Sequence, residues 1–385
     1  MAASAPPTAA QLRAAFDAPA PLTIGLEEEV MVLDPSTLDL LPRALEVLAP
    51  LAGDDRFKPE LPAAQLEIVT APQARVGDAI AALATARRDL AAAASGLARF
   101  AAAGVHPFAA GEGVLNDGER YRLTAREYGR IARRQLVCAF QVHVAVGGAD
   151  RSLAVYNALR SYLPELAALA ANAPYHEGAD TGLASVRPKI SEQLPRQGMP
   201  PSLESWDAFA AELAWGAAAG AVPAGGGRWW WELRPHPAYG TLEVRVPDSQ
   251  ASIADAAAVA AVVHALVGRL SERYDEGSLD ATRVPTWRLE ENRWSACRDG
   301  VAGTLADLAT GERRPTRQRL LELLEEIDGA AARLGCAAEL ASARALVERN
   351  GAIRQRETGD PHAAAAWLAD AFARADGRVT VRAAG

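Results

Sequence analysis

Four stretches of the chain alternate with period two, and each sets aliphatic side chains on one face against acid, amide or imidazole groups on the other. In Thr23 to Leu33 the alternation puts Glu27 and Glu29 together, with Leu26, Glu28 and Val30 opposite. In Gln65 to Thr70, Gln65 and Glu67 share one face, and Leu66 and Ile68 the other. Gln141 to Val146 sets Gln141 and His143 against Val142, Val144 and Val146. Arg228 to Ser249 reads as two strands joined by a turn over Pro235 to Gly240, where proline fixes φ and glycine tolerates positive φ. Its first strand separates Trp230, Glu232 and Arg234 from Trp229, Trp231 and Leu233; its second separates Thr241, Glu243 and Arg245 from Leu242, Val244 and Val246. Side by side, these strands make a sheet with one greasy and one acidic surface.

Helical spacing accounts for much of the rest. A helix is predicted from Arg75 to Gly104, with Gly104 as its C-terminal stop, and a short basic one from Thr124 to Arg134, whose arginines form a solvated face. Asp150 is placed to cap a helix over Arg151 to Ala171; others cover 204–220, the strongly apolar Ile253 to Tyr274, and most of the chain after Leu305. Leu38 to Leu41 is expected to return as a partner of the first strand, and Thr286 to Gly300 to be a charged linker. Residues 1–20 read as a flexible arm, 21–375 as one domain, and Gly225 to Gly227 as a flexible lead-in to the paired strands. Asn172 to Pro201, rich in glycine, proline and polar residues, is expected to be a lid or substrate loop, with Arg187 and Lys189 as its natural anion contacts, Lys189 reading more readily as a surface residue.

Charge narrows the chemistry. With 40 basic against 48 acidic residues and a net charge of −8, the chain lacks the cationic balance of a nucleic-acid binder. No window approaches eighteen uninterrupted apolar residues, and the first twenty lack a signal peptide's basic start, so a soluble cytoplasmic protein is expected, with no membrane partner. Cys138, Cys297 and Cys336 read as free thiols in a reducing compartment. Glu27, Glu29, Glu67 and Glu243 on one surface would repel one another unless cations sat between them. Oxygen donors with a single imidazole suit Mg²⁺ or Mn²⁺ better than zinc. Glu60, seven residues before Glu67, is equally readable as an exposed loop acid or as part of the site.

Seven segments in order then carry a resemblance: GLEEE at 25–29, ELPAAQLEIVT at 60–70, RRQLVCAFQVHVAV at 133–146, DTGLASVR at 180–187, WWELRPHPAYGTLEVRVPD at 230–248, ENRW at 291–294 and GAIRQR at 351–356. Together they resemble the glutamate–cysteine ligase type 2 family of carboxylate–amine ligases, relatives of bacterial and plant glutamate–cysteine ligase and more remotely of glutamine synthetase. The resemblance implies an α+β fold: a curved antiparallel sheet forming a funnel-shaped active site, with helices on its outer face. It further implies Glu27, Glu29, Glu67, His143 and Glu243 as divalent-metal ligands, and Arg245 as the arginine that steadies a transferring phosphoryl group. Arg187 is implied as a contact to nucleotide phosphate or substrate carboxylate; Glu60, Gln141, Trp231 and Arg234 are candidate substrate or nucleotide contacts. ATP and Mg²⁺ or Mn²⁺ are the implied cofactors, glutamate and an amine such as cysteine the implied substrates, and a homodimer or larger assembly the implied state. Where relatives commonly carry His-Val-His-Val-Gly, this chain has Gln141-Val-His-Val-Ala145, and Leu183 and Val186 replace aromatic residues. The departures at Leu183 and Val186 leave room for a biosynthetic ligase with another acid or amine, that at Gln141 to Ala145 bearing on metal occupancy instead; a nucleotide-binding regulator without turnover is the remaining alternative.

Overall fold

The computed structural model describes residues 5–222, 229–280 and 283–374, so the Gly225 to Gly227 lead-in lies outside the described residues. Seven strands form the main sheet: β1 (Ile24–Leu33), β2 (Phe57–Pro59), β3 (Gln65–Val69), β4 (Arg99–Ala101), β5 (Phe140–Val144), β8 (Leu233–His236) and β9 (Thr241–Val244). Two small ribbons, β6 (Tyr175–His176) with β7 (Ala179–Asp180) and β10 (Thr304–Ala306) with β11 (Arg313–Pro315), stand apart. The main order is β2-β3-β1-β5-β9-β8, with β4 on the far end of β1, and every pairing is antiparallel.

Helices cover the greasy face because Leu26, Val30, Ile68, Val142, Val144, Leu242 and Val244 must leave water, at about 25 cal/mol per Å² of apolar surface removed. In the first half these are α1 (Ala9–Asp17), α2 (Ala44–Leu48), α3 (Val76–Ala93), α4 (Glu119–Tyr128), α5 (Arg130–Arg133), α6 (Ala149–Leu159) and α7 (Leu163–Ala170). The second half adds α8 (Arg187–Ser191), α9 (Trp206–Ala218), α10 (Ile253–Asp275), α11 (Thr286–Asp299), α12 (Thr316–Leu334), α13 (Ala337–Glu348), α14 (Gly351–Glu357) and α15 (Pro361–Ala373). Among the described residues α10 alone is long and apolar enough to cross a membrane. Here it is enclosed by β5, α3, α6, α12 and α13, which is why the stretch Ala256 to Gly268 is almost wholly apolar.

One charge lies on the covered face. Glu28 of β1 is fully buried, and Arg87 of α3 meets it with Nε at 2.7 Å and Nη2 at 2.5 Å, while the same guanidinium donates to the Gln250 carbonyl at 2.9 Å. Removing one member of such a pair strands the other. Arg87→Met is therefore expected to cost about 3–5 kcal/mol in urea unfolding, without changing turnover per folded molecule.

Several expected boundaries move. The arm is not loose over its whole length: Ala9–Asp17 is helical, capped by Thr8, and buries Leu12 and Phe16. It also fixes the turn before β9, since Gly240 has φ 64° and any Cβ there would lie 2.0 Å from the Ala15 carbonyl oxygen. The helix from Arg75 stops at Ala93, because Gly96 turns left-handed (φ 78°) and Arg99–Ala101 pairs with β1. Gly104 is not a helix stop; it is small because Asp248 packs 2.7 Å from where its Cβ would be. Gly129 splits the basic helix into α4 and α5. Asp150 does not cap α6 but pairs with Arg13, and Pro164 marks the new start at α7. Thr286–Asp299 is a helix, not a linker. The 172–201 segment is held down at both ends, Asn172 through Tyr175 and Gly198-Met199-Pro200 being buried, while Glu177–Asp180, Gly182, Glu192 and Pro195 are exposed. Leu40 bridges to Leu33 as expected.

His106 gives the fold an acid limit. Its Nδ1 accepts from the Phe108 and Ala109 N–H groups (3.2 and 2.9 Å), which leaves Nε2 to donate to the Leu38 carbonyl at 2.8 Å. Burial lowers its pKa from 6.5 to about 4. The unfolded chain thus takes up a proton near pH 6.5 that the folded chain refuses until about pH 4, so stability falls as pH drops through that window and is unaffected above it. In His106→Gln the slope of unfolding free energy between pH 6 and 5 should be shallower by about 1 kcal/mol per pH unit.

Candidate active site

Register decides what the acidic face can do, because residues directly opposite across antiparallel strands have adjacent side chains. Glu29 lies opposite Glu67, Glu27 opposite Gln141, and His143 opposite Glu243, which in turn faces Arg234. Five strands therefore bring the predicted groups onto one surface. Two sets of ligand atoms gather there, each within 4.8 Å of one another: Glu27, His143 and Glu243, and Glu29, Glu60 and Glu67. Glu60 thus lies with Glu29 and Glu67 and is not an exposed loop acid. It is fixed in the β2–β3 connection, where its carbonyl accepts from Asn116 Nδ2 at 2.7 Å.

Cations hold one set and not the other. Glu243 is fully buried; Arg234 grips it with Nε at 2.6 Å and Nη2 at 3.2 Å, and Arg245 bridges it to the Gln141 amide oxygen. Burial alone would raise its carboxyl, but Arg234 and then Arg245 outweigh burial and hold it far below the usual carboxylate range. At the other set, burial and then Glu27, Glu60 and Glu29 push Glu67 well above its ordinary value. Lys58, opposite Glu67 in the ladder, comes no nearer than 3.8 Å. Burial and then Glu60 raise Glu29 to about 7, although Glu29 accepts from the Ala139 N–H at 2.6 Å and from Gln141 Nε2 at 2.8 Å.

The donor set fits a hard divalent cation. His143 Nδ1 shares a 3.0 Å hydrogen bond with the Thr241 hydroxyl, and its buried Nε2 has no hydrogen-bond partner among the described residues. That nitrogen points between Glu27 Oε1 at 3.4 Å and Glu243 Oε2 at 4.0 Å. A second-sphere bond to one ring nitrogen with the other aimed at carboxylates is how proteins orient a ligating histidine. Beside this set opens a mainly apolar cavity of about 510 Å³, lined by Ile24, Pro72, Tyr239 and Thr241 among others.

One expected contact is corrected, and Lys189 takes the surface role the sequence favours. Arg187 bonds to Asp248 (Nε, 2.7 Å) and to the carbonyls of Val246 (2.5 Å) and Arg245 (3.3 Å), so it clamps the end of the Arg245 strand and does not point freely into the acid face. Its charge still favours ionised Glu29. Lys189 pairs with Glu192 at 2.9 Å over the Trp294 ring and is no anion contact. Trp231 keeps its indole N–H buried and unpartnered among the described residues. Sequence reading missed Lys58, Thr241, Arg120, whose charge acts on Glu60, and His236, stacked on Tyr239 with its ring 5.5 Å from that of His143. His236 was findable, standing two residues beyond Arg234 on the same face.

Clustered carboxylates, one set with Lys58 as its nearest cation at 3.8 Å and the other gripped by two guanidiniums, form a surface suited to cations and anionic groups. The protein's class is a carboxylate–amine ligase: the chain belongs to glutamate–cysteine ligase family 2 (GCS2), which matches residues 23–366. A Rubrobacter xylanophilus protein provisionally named glutamate–cysteine ligase 2-3 is 37% identical over 354 residues, covering 89% of this chain and 93% of its own. One from Gloeobacter violaceus, provisionally named glutamate–cysteine ligase 2, is 34% identical over 349 residues, with 87% and 91% covered. Among solved structures, the Francisella tularensis glutamate–cysteine ligase in complex with AMP superimposes with a TM-score of 0.67 at 13% identity, over 92% of this chain and 88% of that one. A bifunctional glutathione synthetase from Pasteurella multocida gives 0.61 at 15%, over 95% and 54%. At such identities these structures speak for the α+β fold alone.

Proposed function

We propose that this protein uses ATP to activate a carboxylate, foremost the γ-carboxyl of glutamate, as an acyl phosphate and passes the acyl group to an amine, cysteine being the first candidate. The observation that carries this reading is the pair of carboxylate sets on one sheet face with Arg245 bridging Gln141 and Glu243 beside them. A carboxylate is a poor acyl donor because oxide would have to leave. Its oxygen therefore attacks the γ-phosphorus and ADP departs; the amine nitrogen then attacks the carbonyl carbon, loses a proton, and phosphate leaves with that oxygen.

Glu27, His143 and Glu243 would hold one Mg²⁺ or Mn²⁺, and Glu29, Glu60 and Glu67 another. When bound, these ions supply positive charge to the phosphates and to the carboxylate. In this reading Arg245 would donate from its fork to the transferring phosphoryl oxygens, a task for which lysine lacks the geometry. The apolar cavity beside His143 suits a purine base, with the phosphates running toward Glu27 and His143. Ser249 Oγ lies 2.6 Å from the Glu29 carbonyl and 2.8 Å from the Ala139 carbonyl, its one proton available to either, keeping β1 and β5 in position.

The reading with a different acid or amine drew on Leu183 and Val186. Val186 packs with Val105, Ala173 and Ile190, and the Leu183 carbonyl accepts from Arg356. Cys138, Cys297 and Cys336 are buried free thiols, in keeping with a cytoplasmic site of action.

The test is phosphate release with ATP, Mg²⁺ and glutamate across amino acids and simple amines, with mass spectrometry of every responding mixture. γ-Glutamylcysteine is the expected product, and EDTA should abolish its formation. A different amide would replace the substrate assignment, and ATP binding without turnover would replace the enzyme with a regulator.

A further inference from the structure

We propose a second ligand site, on the helical side of the molecule, that binds an organic anion carrying a carboxylate or phosphate on an apolar body. A cavity of about 590 Å³ opens between the end of α10, the start of α11, α12 and the β10–β11 turn, and none of its lining residues belongs to the acidic sheet face. Four arginines, Arg273, Arg283, Arg288 and Arg319, line it against two aspartates, in a chain whose net charge is −8. Its position and its sign both separate it from the ligase site.

The arginines are unequally satisfied. Arg319 meets Glu165 at 2.5 Å and Arg273 meets Glu326 at 3.2 Å. Arg288 donates only to a neutral acceptor, the Leu308 carbonyl at 2.7 Å, and its guanidinium lies 5.7 Å from the centre of the Trp287 ring. Neither Arg288 nor Arg283 has a carboxylate within ion-pair distance among the described residues. Asp307 cannot serve them fully, since one of its oxygens accepts from the Ala309 and Thr310 N–H groups at 3.0 and 2.8 Å and from the Thr310 hydroxyl at 3.0 Å. Planar guanidinium groups without a carboxylate, at the wall of a cavity, match the paired oxygens of a carboxylate or phosphate.

The rest of the lining decides the body of the ligand. Leu270, Leu279, Val284 and Leu308 present hydrocarbon, and the volume is within the usual range for sites that enclose small organic molecules. An inorganic ion would leave that wall wet. A molecule with an anionic end toward Arg288 and an aromatic or aliphatic end toward Leu270 satisfies both.

The probe is 8-anilinonaphthalene-1-sulfonate, an anion on an aromatic body, titrated by fluorescence into the full chain, with the uncharged N-phenyl-1-naphthylamine as comparison. One saturable site per chain is expected, weakened by salt, and weakened at least about tenfold, or 1.4 kcal/mol, in both Arg283→Glu and Arg288→Glu. Arg283 is exposed, so its replacement leaves the fold intact even if that of Arg288 does not. Unsaturable binding, equal affinity for the uncharged probe, no binding, or an Arg283→Glu affinity equal to that of the parent would each overturn the proposal.

Discussion

Glu67→Gln should lower turnover by on the order of 10²–10³-fold while raising the melting temperature of the ligand-free protein. The two effects have one cause. Glu67 is nine-tenths buried, faces Glu29 across the ladder, and has Glu60 and Glu27 close enough to act on it, with Lys58 as its nearest cation at 3.8 Å. Each of these features opposes a negative charge at this position when no cation is bound. Glutamine keeps the shape and removes the charge, so about 1 kcal/mol of repulsion is relieved and the melting temperature should rise by about 1–3 °C. The same change deprives the Glu29, Glu60 and Glu67 set of a charged oxygen donor. A destabilised, inactive variant would show that Glu67 supports the fold and has no ligand to hold. Excess Mg²⁺ should stabilise the parent more than the variant, which ties the melting shift to cation binding.

Arg245→Lys should reduce kcat by about 10³-fold or more, the scale at which a fixed guanidinium contributes to phosphoryl transfer, with a much smaller change in KM. The fold should survive, because Glu243 keeps both of its bonds from Arg234, and the strand around residue 245 stays pinned through the Glu232 carbonyl and Arg187. The lysine keeps the charge and loses the planar fork, so the variant separates charge from geometry. Near-parental kcat would mean that any cation at this position suffices.

The acidic face was legible in the sequence because antiparallel strands alternate strictly, and Glu27, Glu29, Glu67, Gln141, His143 and Glu243 all fell on the face that alternation assigned them. Pairing register was not legible. Nothing in the local pattern says that Glu29 opposes Glu67 or that Arg234 grips Glu243, and it is these pairings that divide the carboxylates into a neutralised set and a repelling one. Arg187 misled for a related reason: its partner Asp248 lies 61 residues away, and an arginine in a polar loop looks free until the chain closes on it. Thr286–Asp299 looked like a linker because its buried stripe, Leu289, Asn292, Arg293 and Ala296, includes two polar residues that break the apolar period. Arg293 is buried there because Glu232 receives it at 2.6 and 2.5 Å. The alanine-rich run past Ala93 had the composition of a helix, and pairing of Arg99–Ala101 with β1 overrode that preference.

The most direct measurement follows an oxygen atom. Glutamate carrying ¹⁸O in its γ-carboxyl, incubated with ATP, Mg²⁺, the accepted amine and enzyme, should yield one ¹⁸O in the released phosphate for each amide formed, together with ADP. Phosphate free of ¹⁸O, or AMP and pyrophosphate in place of ADP, would contradict activation through an acyl phosphate.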